Sequence, residues 1–223
     1  MKTIFEKLQP GAIGVKICGI TNPGDADLSI EAGADALGLN FYPGSKRFID
    51  LEAERSWLEN LPQTVLRVAV VVNPTLNEAL ALLHEPFIDA LQLHGDETVE
   101  FSSRVRDDSG KLVIKALRVA TPESLAAVAE FRDFPVLLDA FAGAERGGTG
   151  HTFDWNWIEN SQDREHLLLS GGLNPENISE ALHFTKLRYV DVASGVETFP
   201  RQKNAVKVRS FVEAVRRFSS ARS

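Results

Sequence analysis

One cysteine, Cys18, stands among 223 residues, so no internal disulfide can form and a metal site built from several thiolates is excluded. Positive charge is also scarce: 24 Lys and Arg against 31 Asp and Glu leave a formal net charge of -7. Duplex nucleic acid is held largely by clustered cations, so this balance argues against a nucleic-acid partner. No uninterrupted run of about 18 apolar residues occurs, and residues 1–11 (MKTIFEKLQPG) break any apolar stretch with Lys2, Glu6, Lys7 and Pro10. Neither a membrane partner nor a targeting segment is expected, and the chain reads as cytoplasmic. What is present is a 43% apolar complement, enough to bury a sizeable core at this length.

That apolar content is distributed as short β-branched runs alternating with stretches of helical period, the pattern of βαβ units on a parallel sheet. Strands are predicted at 15–19 (VKICG), 36–41 (ALGLNF), 65–72 (VLRVAVVV), 88–93 (IDALQL), 112–116 (LVIKA), 136–140 (VLLDA), 166–169 (HLLL) and 188–192 (RYVDV). Amphipathic helices are predicted at 25–32, 51–61, 76–83, 98–105, 124–131, 155–159, 175–184 and 206–218. Pro23, Pro74, Pro122 and Pro175 fall near helix starts, where a missing N–H does little harm. No linker or low-complexity segment divides the chain, so residues 1–223 are expected to form one domain, with 1–13 as a leader. Eight βα units in one domain point to a closed (β/α)8 barrel of the α/β class. The competing architecture is an open doubly wound sheet, but the first turn, 19–25 (GITNPGD), lacks the G-x-G-x-x-G pattern of dinucleotide-binding versions.

In a barrel, function belongs at the C-terminal strand ends and the loops that follow them. Lys16 and Cys18 alternate onto one face of the first strand, and in a barrel that face can be the interior. A lone Cys in an apolar strand is usually inert core, and as a base it would need a nearby cation such as Lys16. Asp139 closes the sixth strand; a cap or structural ion pair is its bland reading, and acid–base work shared with Cys18 is the chemical one. The loops 170–176 (SGGLNPE) and 193–197 (ASGVE) follow strands seven and eight, where this fold often binds phosphate, so a small phosphorylated substrate is expected. Arg47, in the loop after strand two, offers a planar fork for a carboxylate. The Gly-rich stretch 143–153 has the composition of a flap, and His94 fits a polar mouth position as well as a catalytic one.

Taken together, KICGIT (16–21), FYPGSKR (41–47), QLHGDE (92–97), LLDA (137–140), GGTGHTFDW (147–155), LSGGLNPEN (169–177) and VDVASGVE (190–197) resemble the phosphoribosylanthranilate isomerase family, in order and with matching spacing. The resemblance implies a (β/α)8 barrel of tryptophan biosynthesis that performs an Amadori rearrangement with no metal or organic cofactor, as a monomer or homodimer. It implies Cys18 as the general base, Asp139 as the general acid and Arg47 as the holder of the anthranilate carboxylate. Gly171, Gly172, Ser194 and Gly195 would bind the phosphate. Two segments depart from the family pattern: His151 stands where Lys is common, and Pro200-Arg201-Gln202-Lys203-Asn204 replaces a common P-G-x-K-D. Two other readings stay open on the residues alone. One is a lyase related to indole-glycerol-phosphate synthase, which would be expected to use a Lys and Glu pair. The other is a catalytically silent barrel that binds a phosphorylated metabolite or a protein.

Overall fold

The computed structural model describes residues 12–140, 154–159 and 164–220. Eight parallel strands close a barrel in chain order: β1 (Gly14–Cys18), β2 (Ala36–Asn40), β3 (Leu66–Val71), β4 (Ala90–Leu93), β5 (Leu112–Val119), β6 (Val136–Ala140), β7 (Leu167–Leu169) and β8 (Tyr189–Val192). Pairing of β1 with β8, which sets Lys16 opposite Asp191, is the contact that excludes the open doubly wound sheet. Helices α1 (Pro23–Glu31), α2 (Leu51–Leu58), α3 (Leu76–His84), α4 (Val99–Ser109), α5 (Asn156–Glu159), α6 (Ile178–Thr185) and α7 (Ala205–Ser220) supply the outer layer.

The near-continuous apolar strands are explained by two cores. Ala36, Val68, Ala90, Ile114, Ala116, Leu137 and Leu168 fill the barrel, while alternate residues such as Leu37, Leu39, Val113, Val136 and Leu138 pack under the helices. Four helices begin where a short polar side chain accepts backbone N–H groups: Asn22 for α1, Asp50 for α2, Thr75 for α3 and Thr98 for α4. Thr75 and Glu78 bond each other's backbone reciprocally, and Pro23 occupies the first turn of α1.

Two elements differ from the sequence expectation. Residues Pro122–Phe131 wind as 3-10 turns rather than an α-helix, burying Val128 and Phe131. The greater rise of that winding, about 2.0 Å per residue against 1.5 Å, suits the return along β5, the longest strand. After β8 the chain makes one 3-10 turn (Ser194–Val196) and then an antiparallel hairpin, β9 (Glu197–Phe199) with β10 (Gln202–Lys203). Its strands are too short to register as a sequence pattern. Residues 1–11 of the expected leader and the Gly-rich stretch 143–153, His151 included, lie outside the described residues. Among the described residues no helix is long and apolar enough to cross a membrane.

Candidate active site

At the C-terminal rim the inward positions turn from apolar to polar. Lys16 is wholly buried, with Nζ 2.7 Å from Asp191 Oδ1, and Asp191 Oδ2 accepts from Ser170 Oγ at 3.1 Å. Two residues further along β1, on the same face, the half-buried Cys18 reaches the rim. Burial pushes the Cys18 thiol up; the Lys16 cation opposes this, Asp191 adds to it, Lys203 again opposes, and the net direction is upward. Lys16 therefore stands where the sequence placed a candidate cation, yet burial outweighs it. Gly38, beside Cys18 on β2, makes this packing possible: a Cβ there would lie 2.6 Å from Cys18 Sγ and 3.0 Å from Lys16 Nζ.

Asp139 ends β6 buried, and its Oδ2 lies 3.2 Å from His94 Nε2, just beyond β4. The other ring nitrogen, Nδ1, is 2.9 Å from Gln92 Nε2. Gln92, His94 and Asp139 thus form one hydrogen-bonded row, in which the ring tautomer sets donor and acceptor. Arg118 of β5 is the register partner of Asp139, and its Nη2 is buried without a hydrogen-bond partner among the described residues.

The loop after β2 brings Arg47 across Gly19, directly after Cys18. Gly19 has φ +76°, and a Cβ on it would sit 2.2 Å from Arg47 Cδ, so only glycine serves here. Arg47 is not an open fork. Its Nε and Nη2 meet Glu197 Oε1 and Oε2 at 2.8 and 2.5 Å. Lys203 Nζ lies beneath, donating to the Cys18 carbonyl at 2.6 Å, the Ala193 carbonyl at 3.2 Å and Glu197 Oε1 at 2.9 Å. Burial pulls Lys203 down from the usual lysine range, against the raising effect of Glu197.

The glycine loops after β7 and β8 meet. A Cβ on Gly195 would lie 1.9 Å from the Leu173 carbonyl oxygen, and one on Gly171 would lie 2.2 Å from the Ala140 nitrogen. Gly171 and Gly172 have φ of +81° and +66°. Asn177 braces this turn through a 3.0 Å bond from Nδ2 to the Gly172 carbonyl. Cys18, Arg47, Asp139, Gly171, Gly172, Ser194 and Gly195 thus share one rim, with Cys18 and Asp139 on strands separated by β7 and β8. Sequence reasoning missed Asp191, Gln92, Arg118, Glu197 and Lys203. Asp191 carried a signal, because in the β8 run RYVDV a charged residue alternates onto the inward face.

A cluster of buried polar side chains at the C-terminal rim of a closed eight-stranded barrel is the arrangement of a (β/α)8-barrel enzyme. The family model for N-(5'phosphoribosyl)anthranilate (PRA) isomerase matches residues 15–214. The N-(5'-phosphoribosyl)anthranilate isomerase of Thermotoga neapolitana is 43% identical over 202 residues, covering 90% of this chain and 97% of its own. The crystal structure of phosphoribosyl anthranilate isomerase from Thermotoga maritima superposes with a TM-score of 0.85 at 41% identity, covering 92% of this chain and 98% of its own. A phosphoribosyl anthranilate isomerase in complex with reduced 1-(o-carboxyphenylamino)-1-deoxyribulose 5-phosphate gives 0.82 at 40% identity, with the same coverage. The chain belongs to the N-(5'-phosphoribosyl)anthranilate isomerase family, and it is an isomerase.

Proposed function

We propose that this chain converts N-(5-phosphoribosyl)anthranilate to 1-(2-carboxyphenylamino)-1-deoxyribulose 5-phosphate in tryptophan biosynthesis, with Asp139 as general acid and Cys18 as general base. Asp139 gives a proton to the furanose ring oxygen, and the C1–O bond breaks as the anthranilate nitrogen forms a cationic Schiff base. That nitrogen acidifies the C2–H bond, and the Cys18 thiolate removes the proton. The enolamine left behind tautomerises to the ketone. One proton donor and one acceptor suffice, so the reaction calls for neither metal nor organic cofactor.

The observation that carries this reading is the inward placement of Cys18 and Asp139 at the C-terminal ends of β1 and β6. The 3.2 Å contact between His94 Nε2 and Asp139 Oδ2 supports it, since it fixes the orientation of the carboxyl at the rim. Gly171, Gly172, Ser194 and Gly195 hold the 5-phosphate through backbone N–H groups at closely packed turns. Arg47 takes the anthranilate carboxylate. We read residues 1–223 as one barrel domain, acting in the cytoplasm as a monomer or homodimer.

Complementation of a tryptophan auxotroph lacking this isomerase, backed by loss of anthranilate-substrate fluorescence with purified protein, tests the activity. Growth without tryptophan is the expected result. Folded protein that neither complements nor consumes the substrate would favour a silent barrel, and appearance of indole absorbance would favour a lyase.

A further inference from the structure

A fully buried lysine inside a barrel needs a reason. Lys16 Nζ lies 2.7 Å from Asp191 Oδ1, with both side chains almost out of solvent. Such pairs contribute little net stability, because desolvation of two charges offsets their attraction and apolar residues of similar volume do as well. Packing alone therefore does not account for the charge. The ammonium carries three N–H groups, and Asp191 engages one of them. Gly38 shows where the rest of the cation faces: the one point at which its Cβ would sit is 2.6 Å from Cys18 Sγ and 3.0 Å from Lys16 Nζ. Thiol and ammonium converge over a residue that has no side chain.

We propose that Lys16 is a positioning residue for Cys18: its ammonium, tethered by Asp191, is the fixed cation that stabilises the Cys18 thiolate. Its consequence for turnover rests on Cys18 being the general base. Other charges face the thiol too. Asp191 on β8 opposes the thiolate, whereas Lys203 on β10 and Arg47 after β2 favour it, both already engaged by Glu197. Lys16 differs from these two cations in coming from the same strand face as Cys18, with no carboxylate other than Asp191 on its amine among the described residues. Consistent with a retained charge, Asp191 and Cys18 hold the Lys16 amine above the usual lysine range despite burial.

Because Cys18 is the only cysteine in the sequence, alkylation of the folded, full-length protein by iodoacetamide reports on this thiol alone. Its rate, followed against pH, gives the thiol midpoint. Asp191→Asn removes the opposing carboxylate with little change in shape and should move the midpoint down. Lys16→Met combined with Asp191→Asn removes the cation without stranding its partner, and should move the midpoint above wild type by about one pH unit or more. Below the midpoint, that is about a tenfold loss of alkylation rate at fixed pH. A double variant with a midpoint at or below that of wild type would overturn the proposal. If that double variant fails to fold, Lys16→Gln combined with Asp191→Asn takes its place on the same criterion, with a midpoint above wild type supporting the proposal and one at or below it overturning it. The acidic limb of the kcat/KM profile should track these shifts. Midpoints that move in the stated order while that limb stays still would uphold Lys16 as the thiolate's cation and instead remove Cys18 from the role of base.

Discussion

Arg47 and Glu197 are locked edge to edge by two hydrogen bonds across 150 residues of sequence, immediately beside Cys18. Glu197 takes the Nε and Nη2 edge of the guanidinium, which aims the remaining Nη1 edge rather than abolishing it. Lys203 shares the same carboxylate, so two cations face one anion and the cluster keeps a net positive charge suited to a substrate carboxylate.

Arg47→Ala should therefore act mainly on binding. A lost charge-assisted hydrogen bond is worth about 1.5–3 kcal/mol, so KM should rise about 10- to 100-fold while kcat changes far less. Steady-state kinetics check this, and a kcat loss larger than the KM change would contradict it.

Cys18→Ala and Asp139→Asn should show the reverse split. General acid or base groups contribute about 10²–10⁴-fold, so each variant should lose at least about 100-fold in kcat with KM near wild type. Either variant within a few-fold of wild-type kcat would remove that residue from its role.

Glu197 makes stability depend on acid pH. Burial alone would push its carboxyl up, but the Arg47 hydrogen bonds and the Lys203 charge prevail and hold it below the ordinary 4.5. A carboxyl whose pKa is lower in the folded state stabilises the fold above its unfolded value and loses that contribution as pH falls through its folded value. The melting temperatures of wild type and Glu197→Gln should thus differ most near neutrality and converge below about pH 4.5. A gap that widens in acid would contradict the assignment.

Arg201 occupies the left-handed region at φ +76° in the β9–β10 turn, a conformation that favours glycine. Its guanidinium donates to the Phe48 carbonyl at 2.6 Å, and its own carbonyl accepts from Thr21 Oγ1 at 3.1 Å. Arg201→Ala loses the guanidinium bond and keeps the backbone strain, whereas Arg201→Gly loses both. Arg201→Gly should accordingly be more stable than Arg201→Ala by about 1 kcal/mol in denaturant titrations. Equal stabilities would mean that the turn relaxes in both.

The barrel strands were legible because most of their residues are apolar whichever face they take, a consequence of helices outside and packed side chains within, with polar residues such as Lys16, Asp139 and Asp191 as the exceptions. The fifth crossover was legible as a segment but not as 3-10 winding, since Leu125, Val128 and Phe131 present an apolar face that suits either coil. The hairpin after β8 escaped notice because its strands span only Glu197–Phe199 and Gln202–Lys203 and its turn uses an arginine where glycine would have been a signal. With it went Lys203 and the pairing role of Glu197.

Local order along the chain determined which groups stand at strand ends: Lys16 and Cys18 two apart on one face, Asp139 closing an apolar run, glycines after the seventh and eighth strands. These follow from the two-residue period of a strand, a rule that reaches only near neighbours. Closure of the barrel decided the partners: Asp191 for Lys16 at a separation of 175 residues, Glu197 for Arg47 at 150, His94 for Asp139 at 45. The reason is geometric, because register between β1 and β8 and the path of the loops over the rim set those distances, and neither is written in any short window of sequence.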